Sequence, residues 1–368
     1  MSNDLGLTLA DLGELRLIDE VLLPLALEYD SNTEVGNDCS YIPLDGRLLA
    51  VTADVGPRPL LHKLPGYEHD LTAAGWLSVV STASDVATAG ARPLFVTNCV
   101  DAPPNLRVAD FARFMRGYFE ASAAFGFRNG GGDVRHGPAL AIRVFGCGVV
   151  GHGDRIGRAG ARPGDHIVLV GAAGNFMATY LLAAERDPSV VREGKLLPGA
   201  EAVLRFPRPQ LKEMMCLAAQ RVVVAASDTS DGLLGAVDNL ARNSGCGFEF
   251  HLRDAILPDV VVAAASARGI DPWNIFFAWG DWAVAVVVRP EHFSAFQRIC
   301  TDQHIQWLPL GQATAQPRRI TARINDGPLR TVVALRNENF VSVGYNAGID
   351  KHLEYMLSTN LFSSFDSA

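Results

Sequence analysis

Leu12, Leu15, Ile18, Leu22 and Leu25 recur at helical spacing near the start of the chain. Thr8 and Asp11 precede them at the spacing of a capping box, so a helix is expected there, kinked or ended by Pro24. Gly36-Asn37-Asp38 reads as a turn. The β-branched run over 48–52 predicts a strand, with Asp54 just past its end. Residues 71–90 read as a helix made largely of small side chains, a composition that permits close packing. A strand over 94–100 follows, and then a helix over 107–126 in which Phe111, Phe114, Met115 and Tyr118 keep one face apolar. Residues 129–133 read as a Gly-rich turn and 139–150 as a strand.

Residues 151–165 are rich in Gly and charge and poor in apolar side chains, which suggests a boundary. The pattern restarts with a strand over 166–170, the run Gly171-Ala172-Ala173-Gly174, and helices near 175–186 and 209–220. A strand over 221–226 leads into Ser227-Asp228-Thr229-Ser230-Asp231-Gly232, followed by a helix over 233–243 and strands over 247–252 and 283–288. Patterning fades from about residue 350, where at most partial order is expected. Strands and helices mix in both halves, giving an α/β or α+β class. The expected organisation is two domains, 1–155 and 156–345, with a tail over 346–368.

Composition narrows the function classes. The chain has 368 residues, 48% of them hydrophobic, enough for a large core. A formal net charge of −8 and the lack of a Lys/Arg stripe argue against nucleic acid as the main partner. No run is apolar enough to predict a membrane span, and residues 1–14 lack a signal-peptide pattern. The six cysteines form no CxxC pair and read as reduced thiols of a cytoplasmic protein.

The chemistry-bearing pattern is a series of aspartates at strand ends and in Gly turns: Asp38, Asp54, Asp85, Asp133, Asp228 and Asp231. Hard Mg²⁺ ions take oxygen ligands, commonly one or two carboxylates each together with phosphate and water. Carboxylates on separate loops therefore suit metals held against a polyphosphate. Any one of them alone would be an ordinary turn former. Their order decides otherwise. Gly36-Asn37-Asp38-Cys39, Thr52-Ala53-Asp54, Ser84-Asp85 through Pro93, Gly131-Gly132-Asp133-Val134, Arg158 through Asp165, and Asp228-Thr229-Ser230-Asp231-Gly232-Leu233 stand in the order of motifs shared by a known superfamily. It contains aminoimidazole ribonucleotide synthetase, selenophosphate synthetase, hydrogenase maturation protein E and thiamine-monophosphate kinase. The chain most resembles thiamine-monophosphate kinase, over residues 10–345.

The resemblance implies a two-domain fold whose N-terminal domain forms a dimeric β-barrel, with a C-terminal α+β sandwich. It implies ATP and Mg²⁺ as cofactors, a small-molecule acceptor and a homodimer. Asp38, Thr52, Asp54, Asp85, Asp133 and Asp228 would hold Mg²⁺ on the ATP phosphates, and Asp231 a further metal beside the acceptor. Gly131, Gly132, Arg158 and Ser230 would contact ATP. Asp228 and Asp231 are the expected catalytic pair.

Departures fall mainly on the acceptor side. The first Asp of the family's GDD motif is Asn37 here, and Val55 through Leu60 replace a VEGVHF segment, with His62 one place out of register. The family's GEDYEL reads Trp279-Gly280-Asp281-Trp282-Ala283-Val284. His62, Trp279, Asp281 and Trp282 are thus candidate acceptor contacts, and the alternative for both tryptophans is plain core packing. The function expected is an ATP- and Mg²⁺-dependent kinase for a small metabolite other than thiamine monophosphate. Two alternatives stay open. One is a synthase or dehydratase that activates an amide-type oxygen by phosphorylation. The other is a non-catalytic nucleotide-binding scaffold.

Overall fold

The computed structural model describes residues 7–335 and 337–365. The N-terminal segment is a chain of short helices, α1 (Leu9–Leu12), α2 (Glu14–Leu17), a π-helical turn (Ile18–Leu22) and α3 (Leu23–Tyr29). Pro24 lies in the first turn of α3, directly after the π-helical turn and with Leu22 still helical, so it does not end the helical run, and the irregularity falls in the turn just before it.

The first sheet holds β1 (Ser40–Leu44), β2 (Arg47–Val55), β3 (Arg92–Ala102), β4 (Arg128–His136) and β5 (Ala141–Gly151) in the order β1-β2-β5-β3-β4. Helices α4 (Leu71–Thr88) and α5 (Val108–Ala124) cover one face. In a single chain this sheet is open, not a closed barrel. The Gly-rich turn expected over 129–133 is instead the middle of edge strand β4. Val96 pairs with Asn129 and Asn98 with Gly132, so β4 carries an extra residue there. This is a β-bulge, with Gly131 at φ +91°, a conformation that only Gly adopts readily.

The second sheet contains β6 (His166–Val170), β9 (Ala225–Asp228), β10 (Gly247–Leu252), β11 (Val284–Val288), β12 (Trp307–Thr314), β13 (Ile320–Ile324), β14 (Arg330–Val332) and β15 (Phe362–Ser364). Their order is β15-β14-β13-β10-β12-β6-β11-β9, and β7 (Val191–Arg192) and β8 (Lys195–Leu196) form a separate hairpin. Around them run α6 (Asn175–Ala184), α7 (Pro198–Leu204), α8 (Leu211–Ala219), α9 (Leu233–Ser244), α10 (Asp259–Arg268), α11 (Pro272–Phe276), α12 (Pro290–Asp302) and α13 (Ile349–Ser358). Every residue of β11 is buried, as its uninterrupted Val/Ala run requires. The strand expected over 221–226 starts only at Ala225 and runs on to Asp228.

The weakly patterned tail is ordered as far as it is described. Asn274 donates to the carbonyls of Met356 (2.7 Å) and Thr359 (2.9 Å), and β15 pairs with β14. These are long-range contacts, which a local apolar period cannot announce.

The two halves share their cores. Val168, Val170 and Val284 of the second sheet pack in one cluster with Val79, Val80 and Val86 of α4. Helix α4 is the shaft between them. Its Asp70 cap accepts from Ala73 N–H at 3.0 Å, and most of its residues are buried. Two glycines set how closely it meets α5. A Cβ on Gly75 would lie 1.9 Å from the Phe114 carbonyl oxygen, and one on Gly117 would lie 1.9 Å from that of Thr72. Backbone is therefore in contact with backbone, and neither helix can yield. Gly75→Ala is expected to destabilise the protein by about 2 kcal/mol or more through overpacking. Gly199→Ala in α7, where a Cβ meets nothing within 4 Å, should leave stability unchanged or slightly raised. Thermal unfolding of the two variants checks this. A Gly75→Ala midpoint equal to wild type would show that the helix contact can expand.

Candidate functional site

The loop before β1 carries Asp38, β2 carries Thr52 and Asp54, the C-terminal half of α4 carries Asp85, and β9 ends on Asp228. One carboxylate oxygen each from Asp38, Asp85 and Asp228 lies within 4.8 Å of the other two. Thr52 donates its hydroxyl to Asp85 Oδ2 at 2.6 Å, and Ser230 donates to Asp228 Oδ1 at 2.9 Å. The second oxygen of Asp228 is buried and has no hydrogen-bond partner among the described residues. Arg158 is the cation in contact with this group. Its guanidinium donates to Asp38 Oδ1 and, at 2.9 Å, to the Gly36 carbonyl.

Electrostatics follow from the crowding. Burial, and then the neighbouring Asp38, push Asp228 from 3.8 up to about 6. Asp85 is raised well above its ordinary value by burial and by Asp228, Asp38 and Asp54. Burial raises Asp54 as well. Asp231 reaches solvent, yet crowding by neighbouring atoms strips part of its hydration and raises it to about 8, with Asp228 and Glu14 adding to the effect. An all-oxygen set on three separate elements, with one buried oxygen left over, suits a hard divalent cation such as Mg²⁺. The fit therefore rests on Asp38, Asp85 and Asp228, with Thr52 orienting Asp85.

The remaining expected residues are spread more widely. Asp54 lies close enough to Asp85 to act on its charge, while one of its own oxygens accepts from Val55 N–H at 2.7 Å. Asp133 is outside the group. It is exposed on β4, with Arg135 at 3.6 Å. Gly131 and Gly132 flank it on that open edge. His62 turns its Nε2 to the Asp70 carbonyl at 3.1 Å. Asp281 accepts from Phe176 N–H at 2.9 Å and so caps α6, and burial pushes it up to about 7. Trp282 is buried in the shared core at φ +52°. Trp279 is half-buried, packs on Phe176 and Tyr345, and donates its indole N–H to His352 Nε2 at 2.8 Å.

Two residues escaped the sequence reading. Asn337 donates to Asp231 Oδ1 at 3.1 Å, and Glu14 faces Asp54 and Asp231 while accepting from Asn339. Neither belongs to a motif. The only trace of Glu14 in the sequence is an acidic residue in a helix's first turn.

Residues 36–151 match the family "AIR synthase related protein, N-terminal domain", and residues 162–322 match "AIR synthase related protein, C-terminal domain". Thiamine-monophosphate kinase of Aquifex aeolicus is 30% identical over 243 residues, covering 66% of this chain and 74% of that protein. The chain is a thiamine-monophosphate kinase-like member of the AIR synthase superfamily. Carbamoyl dehydratase HypE of Azotobacter vinelandii is 31% identical over 206 residues, 54% of this chain and 57% of that one. Among solved structures, AaThiL complexed with AMPPCP and TMP superposes with a TM-score of 0.70 at 23% identity, covering 87% of this chain and 96% of that one. The HypE–HypF complex gives 0.66 at 20% identity, covering 86% and 99%. The AIR synthase-like fold is thus shared with both a kinase and a dehydratase. No described helix of this superfamily member is long and apolar enough to cross a membrane.

The cluster should destabilise the metal-free protein. A carboxyl raised in the folded state keeps a proton that the unfolded chain has released. That preference favours folding at low pH and is lost as pH rises through about 6, the value for Asp228. In EDTA at about pH 8, Asp85→Asn should therefore raise the unfolding midpoint, by a gain on the order of 1–3 kcal/mol. Near pH 4 the gain should vanish. A midpoint that falls at pH 8 would mean that the Thr52–Asp85 hydrogen bond outweighs the charge repulsion.

Proposed function

We propose that the protein is an ATP- and Mg²⁺-dependent phosphotransferase acting on a small metabolite other than thiamine monophosphate. The observation that carries the reading is the Asp38, Asp85 and Asp228 group with its unpartnered Asp228 oxygen. Relatives with this fold include a thiamine-monophosphate kinase and a structure holding AMPPCP.

In this reading Asp38, Asp85 and Asp228 hold Mg²⁺, with Thr52 and Asp54 supporting them. When bound, the metal neutralises the phosphate charge that builds up during transfer. Arg158 holds Asp38 in place and offers a positive charge at the rim. Ser230 fixes the Asp228 carboxylate. Gly131 and Gly132 leave the β4 backbone open to approach by phosphate, and Asp133 extends the acidic rim there. Asp231 sits on the acceptor side, oriented by Asn337. Trp279 forms an aromatic wall nearby. It opens the segment that matches the family's GEDYEL, in which Gly280 and Ala283 stand in place of both glutamates, and this supports a different acceptor. Asp281 caps α6 at Phe176, on which Trp279 packs, Trp282 is held in the shared core, and His62 braces the start of α4. The N-terminal domain is taken as residues 1–155 and the second as 156–345, in a cytoplasmic enzyme.

A homodimer belongs to the same reading. The uncovered face of the first sheet carries Ile42, Leu44, Val55, Phe95 and Phe145, each at least 39% exposed. So large an apolar face is unusual on a free monomer. A second copy would cover it and close the sheet into a barrel. Sedimentation should then give twice the 39.5 kDa chain mass, and Phe145→Glu should halve it. A monomeric wild type would sink this part of the reading.

The dehydratase-type alternative is kept because the HypE relative is as similar in identity as the kinase. ³¹P NMR with ATP, Mg²⁺ and a panel of acceptors including thiamine monophosphate separates the two. A new phosphoester or diphosphate signal alongside ADP supports the kinase. Accumulation of ADP and free phosphate with one acceptor, and no phosphorylated product, supports a dehydratase or synthase. Asp228→Asn should abolish either outcome. ATP binding without turnover across the panel would favour a scaffold.

A further inference from the structure

We infer that Asn37 is a positioning residue: its neutral carboxamide lets the loop at 34–38 close on the linker at 155–158, and that closure fixes Arg158 against Asp38. The side chain acts in both directions. Its Nδ2 donates to Glu34 Oε2 at 3.1 Å, and its Oδ1 accepts from Arg158 N–H at 3.1 Å. Glu34 is tied in turn to Arg155 Nη2 at 2.5 Å, and the Arg155 guanidinium lies 4.7 Å from the Tyr41 ring centre. Tyr41 donates its hydroxyl to the Ile156 carbonyl. Gly157 makes the close approach possible, since a Cβ there would stand 3.2 Å from Asn37 Oδ1. The Gly157 carbonyl accepts from Ala226 N–H at 2.9 Å, so the clamp is anchored on β9, the strand that ends on Asp228.

An aspartate at position 37 could still accept from Arg158 N–H, but it could not donate to Glu34. It would place a second carboxylate about 3 Å from the first, a spacing at which like charges repel strongly. Asn37 and Glu34 are therefore a matched pair. The departure from the family's GDD motif is explained by Glu34 and Arg155, both outside that motif, and not by a weakened nucleotide site. This goes beyond the proposed reaction, which assigns Asn37 no role.

The test is a charge-matching series on the full chain: Asn37→Asp, Glu34→Gln, and the two combined. Probes are thermal unfolding and calorimetric binding of AMPPCP with Mg²⁺. Asn37→Asp should lower the unfolding midpoint and weaken AMPPCP binding at least tenfold. Glu34→Gln alone should change binding less than threefold. In the double variant the carboxamide introduced at position 34 can donate to the carboxylate introduced at position 37, so binding should recover to within threefold of wild type. If Asn37→Asp is insoluble while the double variant is soluble and binds, the inference stands. It is overturned if Asn37→Asp behaves as wild type, if the double variant recovers nothing, or if the double variant is itself insoluble. Should wild type not bind AMPPCP, the nucleotide reading fails, while the midpoints of the series still test the pairing.

Discussion

The structure depends on bringing carboxylates together where they repel one another. Asp38, Asp85 and Asp228 share a space smaller than 5 Å across, in contact with one guanidinium, that of Arg158. Buried like charges cost free energy unless they are paired or coordinate a cation. A fold tolerates such a group only if the elements carrying it cannot move apart, and the surrounding architecture supplies that rigidity. Three different elements deliver the three aspartates, and each is tied into the shared core or the clamp at the linker.

Helix α4 makes this possible. A helix buried on nearly all sides needs small residues, and the Ala, Ser, Thr and Gly positions of 71–88 supply them. Gly75 and Gly117 bring α4 backbone to α5 backbone, and Val79, Val80 and Val86 carry the core into the second sheet. Asp85 is therefore held from both halves of the chain. Asp228 ends β9, which pairs with the fully buried β11. Asp38 has no strand beneath it. It relies on Arg158, and Arg158 relies on the loop that Asn37 closes. The weakest mechanical support thus falls on the one carboxylate that touches the arginine.

The same division of supports separates what is legible in the sequence from what is not. Aspartates following apolar runs are legible because a strand end is a local pattern, and the order of motifs across 200 residues points to the AIR synthase fold. The glycines at 130–132 read as a turn because Gly marks a bulge as readily as a turn, and only pairing with β3 distinguishes them. Order in the C-terminal segment comes from Asn274 and β14, far away in sequence, so its weak local pattern understates it. Glu14 and Asn337 are invisible for the same reason. Asn37 stands out as a departure, but its partner Arg158 lies 121 residues away, so its purpose can be read only from the fold.

Transferring a phosphoryl group and using it to activate an oxygen make different demands on the site. In either proposed reaction the carboxylate group and its arginine would serve equally, since each would begin with a nucleotide held by metal. What differs must lie beyond Asp231, where Asn337, Tyr345 and His352 come from sequence past residue 322, the end of the family match. His352 accepts from Trp279 through Nε2, and its Nδ1 faces the Val343 carbonyl at 2.8 Å. The ring is therefore neutral, with its proton on Nδ1, and burial lowers its pKa further. A neutral, fully bonded His352 is unavailable as a proton donor at the reacting centre. On this side the chain offers shape and two neighbouring carboxyl groups, Asp231 and Glu14. Raised to about 8, Asp231 holds its proton near neutrality, so in the proposed transfer it would meet an acceptor first as a hydrogen-bond donor.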